Sequence, residues 1–248
     1  MSFWRKHLDR PSPNFGERRG VQTPDMIVLH YTGMETAGAA IDRLCDPAEE
    51  VSAHYLIDLD GARTKLVRPR HRAWHAGVSS WGGVHDVNSH SIGIELVNPG
   101  HGPSYCPFPE PQMSQLEALL DYLINRFRIA PERVVGHACI APLRKQDPGP
   151  KFDWRRLALS GKAVWLDPER PAQPEAEPAD ASRFQDAARR FGFLAPESGS
   201  WCTETRAIWR AFQARFLPQC PQLAPCPSGI RHMERLSQEW PCNLTRDD

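Results

Sequence analysis

The sequence predicts an α/β fold, a central mixed β-sheet flanked by helices, followed by a small C-terminal α-helical domain. Three observations carry this expectation. Short apolar runs bounded by turn residues recur between residues 26 and 137, at the length of buried strands. Among them lies one long stretch, Ser114 to about Arg128, with Leu116, Leu119, Leu120, Leu123, Ile124 and Phe127 at helical spacing. Beyond a Pro-rich break the apolar pattern is helical only.

Taken in order, residues 1–25 are rich in Pro, Arg and Gly and read as an extended lead-in that wraps over a domain. Met26–His30 (MIVLH) is a short buried strand with a polar end. Thr36 caps a helix that runs to about Cys45 and stops at Asp46-Pro47. Ala53–Leu59 alternates and meets Asp60-Gly61, a hairpin signal, so Lys65–Arg68 is the returning strand. Ile92–Val97 (IGIELV) is a further strand. Ser114 and Glu117 form a capping box for the long helix. Arg133–His137 (RVVGH) is the last strand. The first domain therefore spans 1–160. From 161 to 181, Pro168, Pro171, Pro174 and Pro178 with interspersed Glu and Ala read as a semi-rigid linker. Residues 182–248 form the helical domain, with helices over Ser182–Phe191 and Thr203–Phe216.

Thirty basic side chains balance thirty acidic ones, which gives no reason to expect nucleic acid or an anionic membrane as a partner. The apolar runs are too short to span a bilayer, so no membrane insertion is expected. No h-region of about 7–15 apolar residues follows the first residues. The expectation is a cytoplasmic protein, or a periplasmic one if a leader was removed before Met1. The seven cysteines, at irregular spacing, do not form a disulfide framework, and reduced thiols are expected. A local Cys220–Cys226 bridge is the alternative.

Of ten histidines, His7, His101 and His232 sit in polar loops or the tail and are assigned no role. His30 and His137 differ, because each ends a hydrophobic strand, where a side chain is held rigidly at a cleft. Asp147 lies ten residues past His137 on a Pro/Gly-shaped loop able to fold back on it. Two neutral imidazoles and one carboxylate leave zinc a fourth position for water, the arrangement of a catalytic rather than a structural site. Glu95 interrupts the apolar strand IGIELV; it is either a solvent-facing edge residue or a general base in a cleft.

The pieces IVLHYTG at 27–33, SAHYLID at 52–58, WHAG at 74–77, NSHSIGIELVN at 88–98, VVGH at 134–137 and RKQDPGPKFDW at 144–154 occur in one order. Together they resemble the type 2 N-acetylmuramoyl-L-alanine amidase family, relatives of phage amidases and peptidoglycan recognition proteins, over residues 12–158. The resemblance implies one zinc ion per chain held by His30, His137 and Asp147, with Glu95 as general base and Lys145 facing the reacting carbonyl. It implies a peptidoglycan or muropeptide substrate, cut between muramic acid and L-alanine; a non-catalytic recognition protein is the alternative. Tyr31, His54, His75, Asn88 and Arg144 are the candidates for substrate contact, although His54 equally suits a buried hydrogen bond. Arg70 and Arg72 either meet a peptide carboxylate or belong to a solvated loop. Ala138, Cys139 and Leu143 stand where the family usually carries Ser, Asp and Gly. None is a family metal ligand, but Leu143 does not adopt positive φ as cheaply as Gly. The stretch FQDAARRFGF and the run AFQARFLP resemble a small peptidoglycan-binding helical module, except that the tail after Pro218 departs from its closing helix.

Overall fold

The computed structural model describes residues 7–168, 178–219 and 224–242. The lead-in contributes two short strands, β1 (His7–Asp9) and β2 (Phe15–Gly16). It is fastened at the turn between them: Ser12 Oγ donates to Leu44 O, and the Asn14 amide donates to Asp46 O and Val51 O. The remaining strands are β3 (Met26–Tyr31), β4 (Tyr55–Ile57), β5 (Arg63–Lys65), β6 (Arg72–Ala73), β7 (Ser91–Leu96) and β8 (Val134–Gly136). They build a six-stranded sheet in the order β1-β5-β4-β7-β3-β8, with β2 and β6 paired separately. The pairs β4–β7, β7–β3 and β3–β8 are parallel and β4–β5 is antiparallel, so the sheet is mixed. The β4–β5 hairpin turns where Asp60-Gly61 predicts, with Gly61 at φ 83° and packed against the Pro111 carbonyl. Its returning strand starts at Arg63, two residues earlier than expected, because Asp58 N–H already bonds Ala62 O.

Each face of the sheet has its own core, and the strand residues alternate between them as a two-residue period requires. Ile27 and Leu29 of β3, with Ile92, Ile94 and Leu96 of β7, pack against Met113, Leu116, Leu119, Leu120 and Leu123 of helix α3 (Glu110–Phe127). This helix begins four residues before Ser114. Pro111 suits the first turn, and Ser114 Oγ donates to Glu110 instead of capping, so the expected capping box does not form. Helix α1 (Ala37–Cys45) is capped by Thr36 as predicted, and α2 (Val87–His90) and α5 (Trp154–Leu159) are short.

On the other face, Met26, Val28 and Val135 join a core shared with the C-terminal helices α6 (Ala181–Phe191), α7 (Thr203–Phe216) and α8 (Pro227–Glu239). Helix α8 is the closing helix that the tail's sequence did not suggest. Pro227 occupies its first turn, and Ile230, Met233 and Leu236 are buried along one side. Of the segment read as a linker, Lys162, Ala163 and Val164 are buried on the cores, while 169–177 lies outside the described residues. The six described cysteines form no disulfide among themselves; Cys220, and with it the Cys220–Cys226 bridge, lies outside the described residues. Among the described residues no helix is long and apolar enough to cross a membrane.

Candidate metal centre and active site

Three parallel strands deliver the chemistry at their C-terminal ends, where open α/β sheets bind ligands. His30 is the fifth residue of β3 and points to the face opposite Ile27 and Leu29. Glu95 of β7 is its register partner, so both side chains leave the sheet on the same side. His137 follows β8 directly and opens the short helix α4 (His137–Ile140), one residue beyond the strand in which its sequence placed it. The chain then turns back: Ala138 N–H donates to Asp147 O, and the Tyr105 hydroxyl donates to Pro148 O. Leu143, within this return, is exposed and is not among the described residues with positive φ, so the family's glycine is not needed there.

The return places Asp147 Oδ2 3.1 Å from Nδ1 of His30 and 3.1 Å from Nδ1 of His137, with the two Nδ1 atoms 2.9 Å apart. All three residues are buried. Burial, with His137 beside it, pulls the His30 imidazole down to about 4, so it is neutral at pH 7. His137 Nε2 lies 3.1 Å from Ala76 O, which only accepts, so Nε2 carries a proton, and an imidazole with that single proton presents its lone pair at Nδ1. A lone pair and a carboxylate oxygen thus face each other within hydrogen-bond range. That donor set fits a cation, and two imidazole nitrogens with one carboxylate suit a first-row divalent metal.

Around the triad is a cleft of about 470 Å³, lined also by Tyr31, Trp74, His75, Glu95, Arg144 and Lys145. Glu95 Oε2 is buried and has no hydrogen-bond partner among the described residues. Burial raises its carboxyl well above the usual value; the Asp147 charge adds to this and Lys145 opposes it. Lys145 is exposed at the rim. The Tyr31 hydroxyl lies 2.8 Å from Nδ1 of His101, whose ring stacks on Tyr105. His101, assigned no role from sequence, therefore buttresses a cleft residue. Its sequence neighbourhood is polar loop, and only the fold brings it to Tyr31.

His54 and Asn88 do not contact the cleft, contrary to expectation. His54 is fully buried: Nδ1 accepts from Gly93 N–H, and Nε2 lies 3.1 Å from His71 O. This is the buried hydrogen bond its sequence allowed. Asn88 turns inward, and its Oδ1 accepts from the N–H groups of His75 and Ala76, fixing the 74–77 loop. Arg144 lines the cleft, but its Nη2 donates to Ala76 O and Val78 O. Arg72 pairs with Asp86 at 3.0 Å, and Arg70 Nε donates to His71 Nε2. Sequence reading singled out Glu95 but missed Ser91 and Gly93, which share its row; the three alternate with Ile92 and Ile94 along the site face of β7. The two-residue period of IGIELV was the signal.

The N-acetylmuramoyl-L-alanine amidase family model matches residues 20–150. The chain is 36% identical to the N-acetylmuramoyl-L-alanine amidase AmiD of Escherichia coli, over 78% of this chain and 75% of that protein. It is 39% identical to the 1,6-anhydro-N-acetylmuramyl-L-alanine amidase AmpD of Citrobacter freundii, over 59% of this chain and 86% of that one. Among solved structures, the E. coli AmiD complex with anhydro-N-acetylmuramic acid-L-Ala-D-γ-Glu-L-Lys superposes with a TM-score of 0.75 at 30% identity. It covers 91% of this chain and 97% of that one. AmpDh3 of Pseudomonas aeruginosa gives 0.74 at 28% identity, over 93% and 96%. With the family model matched over residues 20–150 and a 36% identical relative covered over 75% of its length, the chain belongs to the N-acetylmuramoyl-L-alanine amidase family.

Proposed function

We propose that this chain hydrolyses the amide between the lactyl group of N-acetylmuramic acid, or of its 1,6-anhydro form, and L-alanine in peptidoglycan fragments, using one zinc ion. The observation that carries the reading is the buried convergence of His30 Nδ1, His137 Nδ1 and Asp147 Oδ2 beside the unpartnered Glu95 Oε2. The similarity to amidases that bear this activity in their names, and to a structure holding an anhydromuramyl peptide, supports the substrate class.

His30, His137 and Asp147 would hold the zinc ion, which would supply Lewis acidity at the scissile carbonyl and would lower the pKa of a water towards about 7. Glu95 takes a proton from the attacking water and delivers it to the departing alanyl nitrogen, a role that suits a carboxyl whose proton affinity burial has raised. Lys145, at the rim, places a cation where charge gathers on the carbonyl oxygen. Tyr31 and Trp74 offer aromatic faces to the sugar or peptide. Residues 182–248 are proposed to hold peptidoglycan near the cleft.

The test is incubation with an N-acetylmuramoyl-L-alanyl peptide, followed by mass spectrometry and free-amine detection. Release of the peptide with a free alanine amine, abolished by chelation and restored by zinc, is expected. Binding of the fragment without cleavage, at full zinc loading, would leave a recognition protein instead.

A further inference from the structure

His75 is engaged through both ring nitrogens, and the direction of those contacts follows from their far end. The Ser91 hydroxyl lies 2.6 Å from Val87 O, which only accepts, so Ser91 spends its proton there. Its oxygen, 3.1 Å from His75 Nε2, must then accept, and His75 carries its proton on Nε2. His75 Nδ1 is consequently an acceptor, and it lies 3.0 Å from His30 Nε2. His30 must supply the proton of that contact, which leaves its own lone pair on Nδ1. That is the atom turned towards His137 and Asp147.

We propose that Ser91 and His75 are positioning residues that fix the tautomer and orientation of His30, so that Nδ1 is the nitrogen offered to the metal. The two histidine ligands are then treated alike. His137 gives its Nε2 proton to the Ala76 carbonyl, and His30 gives its own to a chain that ends on the Val87 carbonyl. Backbone carbonyls thus terminate both lines, and neither ligand is free to rotate. The strand is shaped for this arrangement. A Cβ at Gly93 would lie 2.4 Å from the His75 ring, so the residue between Ser91 and Glu95 on the site face has no side chain because an imidazole rests on it. Asn88 holds the loop from the other side through the His75 and Ala76 amides. His54 takes no part, since both its nitrogens are committed to Gly93 and His71. Recognition of substrate by the His75 ring nitrogens is excluded while these bonds persist.

This inference rests on the zinc reading of the triad. The experiment measures zinc affinity by competition with a chromophoric chelator for wild type, His75→Ala and His75→Gln, with thermal melts of the metal-free proteins. Glutamine offers an acceptor and a donor at the ends of one side chain and can stand in for both contacts. His75→Ala is expected to weaken zinc about 10- to 100-fold, as loss of a ligand's hydrogen-bond partner does, and His75→Gln to recover most of that loss. Alanine binding zinc as tightly as wild type overturns the proposal. So does a folded glutamine variant as weak as alanine, which would leave His75 a packing role only. If alanine fails to fold, the glutamine variant alone decides. A wild type that takes up no zinc overturns the amidase reading as well, whereas the other two results leave that reading intact.

Discussion

Glu95 illustrates how much one residue depends on its strand. Its Cα pairs with that of His30 on the neighbouring parallel strand, and this shared register aims the carboxyl and the imidazole into one cleft. The interruption of an apolar run by Glu was visible in the sequence; the partner across the strand was not, because register is a property of the sheet. His54 shows the converse. It sits in a segment that resembles the family, yet the fold buries it completely and spends both nitrogens on the backbone. Replacing Glu95 by Gln keeps size and removes the base. Steady-state kinetics on the muramyl peptide should show kcat reduced about 10²- to 10⁴-fold, while elemental analysis finds the zinc content unchanged. Equal loss of zinc would assign Glu95 to metal binding instead.

At the scale of elements, Asp25 sets the start of β3. It pairs with His90 at the end of helix α2 (Val87–His90) at 3.2 Å and with Arg133, just before β8, at 2.8 Å. Partial burial would raise its carboxyl, but the hydrogen bond from His90 and the charge and hydrogen bond of Arg133 outweigh it and hold it below 3.8. A depressed folded-state pKa contributes stability above the unfolded value and loses it as pH falls through the folded one. Thermal melts of Asp25→Asn should therefore lie below wild type at neutral pH and converge with it as the pH drops below 3.8. A gap that is constant across this range would show that the charge is not what matters. Element boundaries were less legible than element type. Helix α3 was recognised from its leucine face, but its first turn is set by Pro111 and by a clamp of Arg156 on Glu110 and Glu117, 39 to 46 residues apart in sequence. Helix α8 went unread because its apolar positions are separated by charged ones and follow a Pro/Cys-rich stretch.

Over the whole molecule, the C-terminal helices complete the core on the face of the sheet that also carries His30 and Glu95. Phe184, Phe191, Phe212 and Phe216 are fully buried there with Trp81, and Trp81 meets Phe191 edge-on at 5.6 Å. Phe212→Ala should cost about 3–5 kcal/mol in denaturant unfolding, with one cooperative transition; an unfolding curve in which the sheet is unaffected would contradict the shared core. Arg215 of α7 reaches across to the sheet. It is 2% exposed, donates to Val134 O at 3.2 Å and, from its second amino group, to the Cys139 thiol of α4 at 3.8 Å, and its guanidinium lies 4.2 Å from the centre of the Trp154 ring. Cys139→Asp, the residue usual in the family, would give this cation a carboxylate partner. A gain of about 1.5–3 kcal/mol is expected, lost again when Arg215→Met is added; a gain that survives the second substitution would place its origin elsewhere. The sheet and its flanking helices were legible because their segments are local and ordered. The docking of the last helices was not, because it depends on pairs such as Arg215 and Cys139 that are 76 residues apart.

The most direct test of the metal centre is zinc content measured together with release of L-alanyl peptide from an N-acetylmuramoyl-L-alanyl peptide, in wild type and Asp147→Ala. One zinc per wild-type chain with peptide release, both lost in the variant, is the result expected of His30, His137 and Asp147 as the ligand set. Retention of stoichiometric zinc and cleavage by Asp147→Ala would contradict it.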